Sequence, residues 1–207
     1  VGVRTRESGA VHRADAVVVA AGHGTARVGG VPAWLRGAVR PVKGQILRLH
    51  GREPLLTHTV RARVRGDSVY AVPRADGEIV LGATSEEQDD VRVTADGVFE
   101  ILRRGITVVP GIRECDLVEA TARARPGTAD NGPLIGHAGA PNLLAATGHY
   151  RGGVLLAPLT AEAIAALLHD GAVPATVRPF APTRFAPTSA PPRAEIGRTP
   201  ENTEARP

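Results

Sequence analysis

A planar, permanently charged guanidinium at the end of a strand can grip a carboxylate through two parallel N–H bonds. Arg125, in the run Arg125-Pro126-Gly127-Thr128, follows a stretch patterned as a strand and offers that fork. Taken alone, it can also be read as one of many surface arginines. A second segment runs Thr147-Gly148-His149-Tyr150-Arg151-Gly152-Gly153 and continues through Val154, Leu155, Leu156 and Ala157 to Pro158. Its glycines let the backbone approach a partner closely. The element that follows starts with free N–H groups suited to an anion or a flat, electron-rich ligand. An ordinary strand-to-helix turn uses glycine in the same way. Tyr70 carries a phenol able to hydrogen-bond a substrate oxygen, although by itself the residue reads better as core with its hydroxyl reaching the surface.

Other chemistries lack their residues. The seven histidines are dispersed, with no HExxH pair and no metal-ligand spacing. No GxSxG elbow and no P-loop occur, and Gly22-His23-Gly24 lacks the third glycine and the helix of a dinucleotide fingerprint. Cys115 is the single cysteine, so neither an internal disulfide nor a cysteine zinc cluster can form. Flanked by Ile112, Leu117 and Val118, it reads as an inert, half-buried thiol.

The elements that must position these residues follow from pattern. Val1 to Val11, with Ser8-Gly9 in the middle, predicts a hairpin. Ala14 to Gly22, centred on Val17, Val18 and Val19, predicts a strand buried on both faces, as in a parallel sheet. Gly22 to Arg40 predicts a loop with a short helical turn around Trp34. Strands follow from Pro41 to Leu49, Ser68 to Val72 and Ile79 to Ala83, the last two joined by an Asp76-Gly77 turn. Val98, Ile101, Leu102, Gly105 and Val109 share a helical face over Thr94–Val109, closed by Pro110-Gly111. Further strands are expected over Leu117–Arg123 and Leu143–Thr147, and a helix capped by Thr160 and running to Leu168. The prolines beyond Val177 predict a disordered or extended tail. The class is mixed α/β.

Composition narrows function. Hydrophobic residues make up 43% and charged residues 22%, the balance of a globular protein, and no 18-residue stretch is uninterruptedly apolar. The net charge of +4 is spread over scattered arginines with acids between them, and aromatics are only 3%, which argues against nucleic-acid binding. No signal peptide or membrane partner is expected, and a cytoplasmic location is the default. The chain has no methionine, so it is expected to be a piece of a longer protein.

The ordered motifs "ADAVVVAAG" (14–22), "RPVKGQ" (40–45), "VYAVPR" (69–74), "GEIVLGAT" (77–84), "ARPGTADNGPLIG" (124–136) and "ATGHYRGGVLLAP" (146–158) resemble the flavoprotein family of glycine oxidase, D-amino-acid oxidase and sarcosine oxidase. They lean toward the glycine oxidase branch of bacterial thiamine synthesis. The resemblance implies the C-terminal half of a two-domain FAD-dependent amine oxidase. It divides the chain into 1–39 (partial FAD-binding domain), 40–118 (substrate-binding domain), 119–178 (returning FAD-binding segment) and 179–207 (Pro-rich tail). It puts Arg125, Tyr70 and Arg151 on the substrate, Arg125 and Tyr70 holding its carboxylate. His149, Tyr150, Arg151, Gly152, Gly153, Val154 and Leu155 would lie against the flavin. The implied reaction is oxidative deamination of glycine or a related small amine by hydride transfer to flavin. Imine hydrolysis would give glyoxylate and ammonia, and reoxidation hydrogen peroxide, with no side-chain base and no metal. Gly152 and the run Gly22-His23-Gly24-Thr25 depart from the family's usual residues, so the pocket walls should differ. The family's GxGxxG strand–turn–helix does not occur in this chain, which is therefore expected to bind FAD poorly and to be colourless alone. The alternative is a non-catalytic remnant or binding module that keeps the substrate-domain fold. The full-length protein is open to homo-oligomer formation, as this family often assembles.

Overall fold

The computed structural model describes residues 1–187. The chain opens with a small antiparallel hairpin, β1 (Gly2–Arg4) and β2 (Val11–Arg13), whose turn uses Gly9 at positive φ. The valine run forms only a three-residue strand, β3 (Val17–Val19). The expectation of burial on both faces fails at Val18, which is 36% exposed, because nothing among the described residues covers that side. A 3-10 turn (Gly22–Arg27) and the short helix α1 (Ala33–Ala38) then lead into the main sheet.

That sheet has five antiparallel strands: β4 (Arg40–His50), β5 (Val60–Val64), β6 (Asp67–Pro73), β7 (Glu78–Gly82) and β8 (Asp116–Gly127), in the order β5-β6-β7-β4-β8. Side chains alternate across a strand, so each strand divides its residues between two faces. Leu47 and Leu49 of β4, Val69 and Ala71 of β6, and Ile79 and Leu81 of β7 pack on Ile101 of helix α2 (Ala95–Val108). Fully burying a side chain of this size contributes about 1.5–3 kcal/mol. Thr94 caps α2, its side chain accepting the N–H of Gly97 at 3.1 Å. Gly105 lets the helix lie close, since a Cβ there would come within 2.6 Å of Leu81 Cδ2.

β8 is longer than its pattern suggests because it pairs with the whole of β4, from Arg40↔Gly127 to His50↔Asp116. Arg125 therefore lies inside a strand, opposite Val42. β5 escapes a hydrophobicity search because Arg61 and Arg63 interrupt it, although Val60, Ala62 and Val64 keep the strand period.

A second, three-stranded sheet has the order β3-β10-β9, with β9 (Leu134–His137) antiparallel and β3 parallel to β10 (Leu143–Thr147). β9 is only four residues long and is absent from the strands that the pattern predicts, although Gly139, Pro141 and Asn142 mark the turn after it. Helix α3 (Gly153–Asp170) begins eight residues earlier than a Thr160 cap predicts. Thr160 is not its cap: the Thr160 hydroxyl donates to the carbonyl of Leu156 one turn back, and Pro158 sits within the helix. α3 buries Thr160, Ala163 and Leu167 against this sheet, while Val154, Leu155 and Leu168 stay exposed. Over 18 residues its mean hydropathy of 1.3 would suffice for a membrane span by length and composition alone, which tempers the exclusion drawn from unbroken apolar runs.

The first residues of the expected disordered tail are ordered. Two 3-10 turns, Ala175–Phe180 and Pro182–Phe185, fold back on the second sheet, with Phe185 packed beside Leu134 and Trp34. Arg184 clamps Asp130 at 2.9 Å, and that ion pair and apolar contact outweigh the proline content. The rest of the expected tail lies outside the described residues.

Candidate active site

The face of the five-stranded sheet opposite α2 borders a cavity of about 800 Å³, lined among others by Tyr70, Arg125, Tyr150 and Arg151. Sequence reasoning singled out all four, and they meet here although 81 positions separate the first from the last. Two strand glycines that it did not single out make the space. A Cβ at Gly44 would overlap the Arg125 guanidinium, and one at Gly82 would stand 2.6 Å from the Tyr70 hydroxyl. Glycine inside a strand marks close approach, and that signal is present in "RPVKGQ" and "GEIVLGAT".

Arg125 is half-buried and oriented from below. Its Nη1 donates to the carbonyls of Lys43 at 3.4 Å and Thr84 at 3.3 Å, leaving the rest of the fork for an occupant. Burial, and next the charge of Arg151, hold its pKa below the ordinary arginine value. Both effects are relieved by an anion arriving in the cavity.

Behind the sheet lies a polar network that fixes this floor. Lys43 is fully buried, yet its ammonium reaches Asp90 at 3.0 Å and Glu86 at 3.4 Å. Gln45 donates to Glu86 at 2.8 Å and accepts the Thr94 N–H at 2.9 Å. Burial pushes Glu86 up, but hydrogen bonds from Thr84 and Gln45 and the charge of Lys43 together leave it below its ordinary value. The Asp90 hydrogen bond is the largest influence on Lys43 and raises it, so the pairing stays charged. The segment 84–90 is thereby tied to β4, and Thr84 presents its carbonyl to Arg125.

The glycine-rich segment forms a turn between β10 and α3, not one wall of the cavity. Tyr150 and Arg151 line the space, with the Arg151 guanidinium over the Tyr150 ring at 5.3 Å. His149, Gly152, Gly153, Val154 and Leu155 lie beyond its lining. Gly148 and Tyr150 adopt positive φ, and the Tyr150 N–H donates to the carbonyl of Pro126 at 2.9 Å, fastening the turn to β8. His149 Nε2 meets the Thr160 hydroxyl at 2.9 Å, and burial lowers its pKa. The Thr147 hydroxyl donates to the carbonyl of Gly22 at 3.1 Å, which draws the Gly22-His23-Gly24 loop to the same place.

This turn leaves backbone donors and apolar side chains without partners among the described residues. Gly152 offers no side chain to cap α3, so the backbone donors of its first turn face outward beside the exposed Val154 and Leu155. Such a surface matches a flat ligand with an electron-rich edge. Among the described residues no cluster of His, Cys, Asp or Glu could hold a metal. Cys115 is half-buried with its pKa raised by burial, in keeping with an inert thiol.

Comparison with known proteins identifies the family. The glycine oxidase of Geobacillus kaustophilus is 37% identical over 179 residues, covering 86% of this chain and 46% of that protein. The bifunctional protein ThiO/ThiG of Synechocystis is 40% identical over 158 residues, 74% of this chain and 24% of its own length. The crystal structure of the Geobacillus kaustophilus enzyme superposes with a TM-score of 0.74 at 35% identity, over 86% of this chain and 47% of that one. The chain thus spans at most about half the length of these relatives. The model of the DAO family, described as FAD dependent oxidoreductase, matches residues 1–167, and the chain belongs to that family.

Proposed function

We propose that this chain is the substrate-holding part of an FAD-dependent amine oxidase acting on glycine or a related small amino acid. The observation that carries this reading is the convergence of Arg125 and Tyr70 on one cavity, each given room by a strand glycine. Arg125 would take the substrate carboxylate through its free N–H groups, with the Tyr70 hydroxyl donating to the same oxygens. Anchored this way, the substrate directs its Cα–H away from the sheet, and the sheet excludes water on that side. FAD, when bound, supplies the acceptor for the hydride and passes the electrons to oxygen. The turn 149–155 would hold the ring by backbone donors, with Val154 and Leu155 as its apolar contact. The role assigned to these residues is orientation and electrostatics, and no side chain is required as a base. In this reading the five-stranded unit, 40–118, binds substrate. The segments 1–39 and 119–178 belong to the FAD-binding side, and the names of the ThiO/ThiG relatives favour a place in thiamine biosynthesis.

The test is a peroxide-coupled assay of the full-length gene product on glycine, sarcosine and D-alanine. Turnover of at least one is expected, and Arg125→Ala should lower kcat/KM by roughly 100-fold, the size of a lost charge-assisted pair. Wild-type turnover that survives Arg125→Ala intact would sink the proposal.

A further inference from the structure

We propose, on the basis of the reading above, that the site is built for amines carrying two acidic groups, with Arg61 and Arg63 serving the second. The observation is a surplus of positive charge. Among the described residues the cavity is bordered by four arginines, Arg61, Arg63, Arg125 and Arg151, and by no Asp or Glu. None of the four forms a salt bridge among the described residues.

The strand geometry puts them together. In β5, Arg61 lies opposite Tyr70 and Arg63 opposite Ser68, and residues directly opposite in an antiparallel pair project to one face. Val60, Ala62 and Val64 take the other face and pack toward the α2 core. Both arginines therefore stand on the same side as Tyr70, about 7 Å apart along the strand. Arg151 approaches from the turn before α3. β5 is an edge strand, where charge commonly discourages pairing with another chain. That purpose explains cations on the edge, but not a cavity without a single carboxylate to balance them.

The adjoining groove, which Arg63 and Arg151 also border, does hold acids. Three of them are engaged elsewhere, Glu86 with Lys43 and Gln45, and Glu100 and Asp67 with Arg104, while Asp96, in the first turn of α2, borders the groove but not the cavity. Four guanidiniums facing one substrate carboxylate leave positive charge unmatched. Burial and the charge of Arg151 already disfavour the Arg125 cation, so the site gains most from an occupant bringing more than one negative charge. An N-carboxymethyl amine or an acidic D-amino acid fits. Arg125 and Tyr70 hold the carboxylate beside the reacting carbon, while Arg61, Arg63 and Arg151 take the distal acid.

Two measurements on the full-length flavoprotein test this. The first is calorimetric binding of malonate against acetate, neither of which can be oxidised. Malonate is expected to bind at least about tenfold tighter, with most of that advantage lost in the R61Q/R63Q double variant. The second is the ratio of kcat/KM for iminodiacetate to that for glycine. It is expected to exceed about ten in the wild type and to fall toward one in R61Q/R63Q. Malonate binding no tighter than acetate, or ratios that survive R61Q/R63Q, would overturn the second-acid site. Turnover of glycine with no malonate preference leaves the amine oxidase reading standing and removes this one. A malonate preference that depends on both arginines, in a protein that oxidises no amine, keeps the anion site and removes the reaction.

Discussion

The five-stranded sheet and the three-stranded sheet differ in how they treat apolar and charged surface. The first is closed on one face by α2, with nine buried residues in one cluster, and presents Tyr70 and Arg125 on its other face to an open cavity. The second shares its burial between two smaller clusters, and α3 leaves Val154 at 93% and Leu155 at 84% exposure. Exposed apolar side chains occur in both regions, among them Phe99, Leu117 and Val118 in the first, but the two most exposed, Val154 and Leu155, stand side by side at the start of α3. Apolar residues that the fold does not use internally are the signature of a surface written for contact. Their position at the start of α3, beside uncapped backbone donors, ties that contact to the proposed flavin side.

This contrast can be broken by mutation. Leu81→Ala, in the closed region, should cost about 2–5 kcal/mol in urea unfolding, because a fully buried side chain leaves a cavity. Leu155→Ala should stay within about 0.5 kcal/mol in the same measurement. Equal costs would mean that the two regions are packed alike.

A smaller effect separates the floor of the cavity from its core. Gly44→Ala places its Cβ against the movable end of Arg125 and not against backbone. We expect kcat/KM to drop roughly tenfold through misplacement of the guanidinium, with the thermal midpoint falling far less than for Leu81→Ala. Collapse of stability without a kinetic change would show that Gly44 serves the fold and not the site.

The mildest probe is acid. Glu86 and Asp90 are held below their ordinary values of 4.5 and 3.8, Asp90 chiefly by the Arg92 N–H and then by Lys43. A depressed carboxylate stabilises the fold above its unfolded value, and the contribution is lost as pH falls through the folded one. The unfolding midpoint should decline as pH falls below about 5 and on through the folded values, and Glu86→Gln should flatten that decline. Lys43, raised from 10.5, adds the opposite edge: its contribution holds below that pH and fades as alkali strips the ammonium. A slope identical in wild type and Glu86→Gln would place the acid-sensitive groups elsewhere.

Much of the first region was legible in sequence, and the reason is periodicity. Val98, Ile101, Leu102 and Gly105 announce α2 because they meet one sheet face, and Asp76-Gly77 announces its hairpin. β5 was hidden because its open face carries arginines, which is also why its part in the cavity went unseen. In the second region the same methods misjudged more. The valine run promised two covered faces and has one, and Pro158 with its neighbouring glycines disguised the first two turns of α3. Arg125 and Tyr70 drew notice by residue type and place, but their roles and that of Arg151 came from motif resemblance. No spacing rule brings them together, since the register of β4 with β8 and of β6 with β7 places Arg125 and Tyr70, and the Tyr150 N–H bond to Pro126 places the turn that carries Arg151.

Lys43 is the chain's sole lysine, and it is fully buried beneath two carboxylates. Reagents that acylate amines, and proteases that cut after lysine, therefore cannot engage Lys43 while the sheet is intact. Labelling or cleavage at that one position becomes a clock for opening of the β4 floor, read by mass spectrometry with no competing lysine signal.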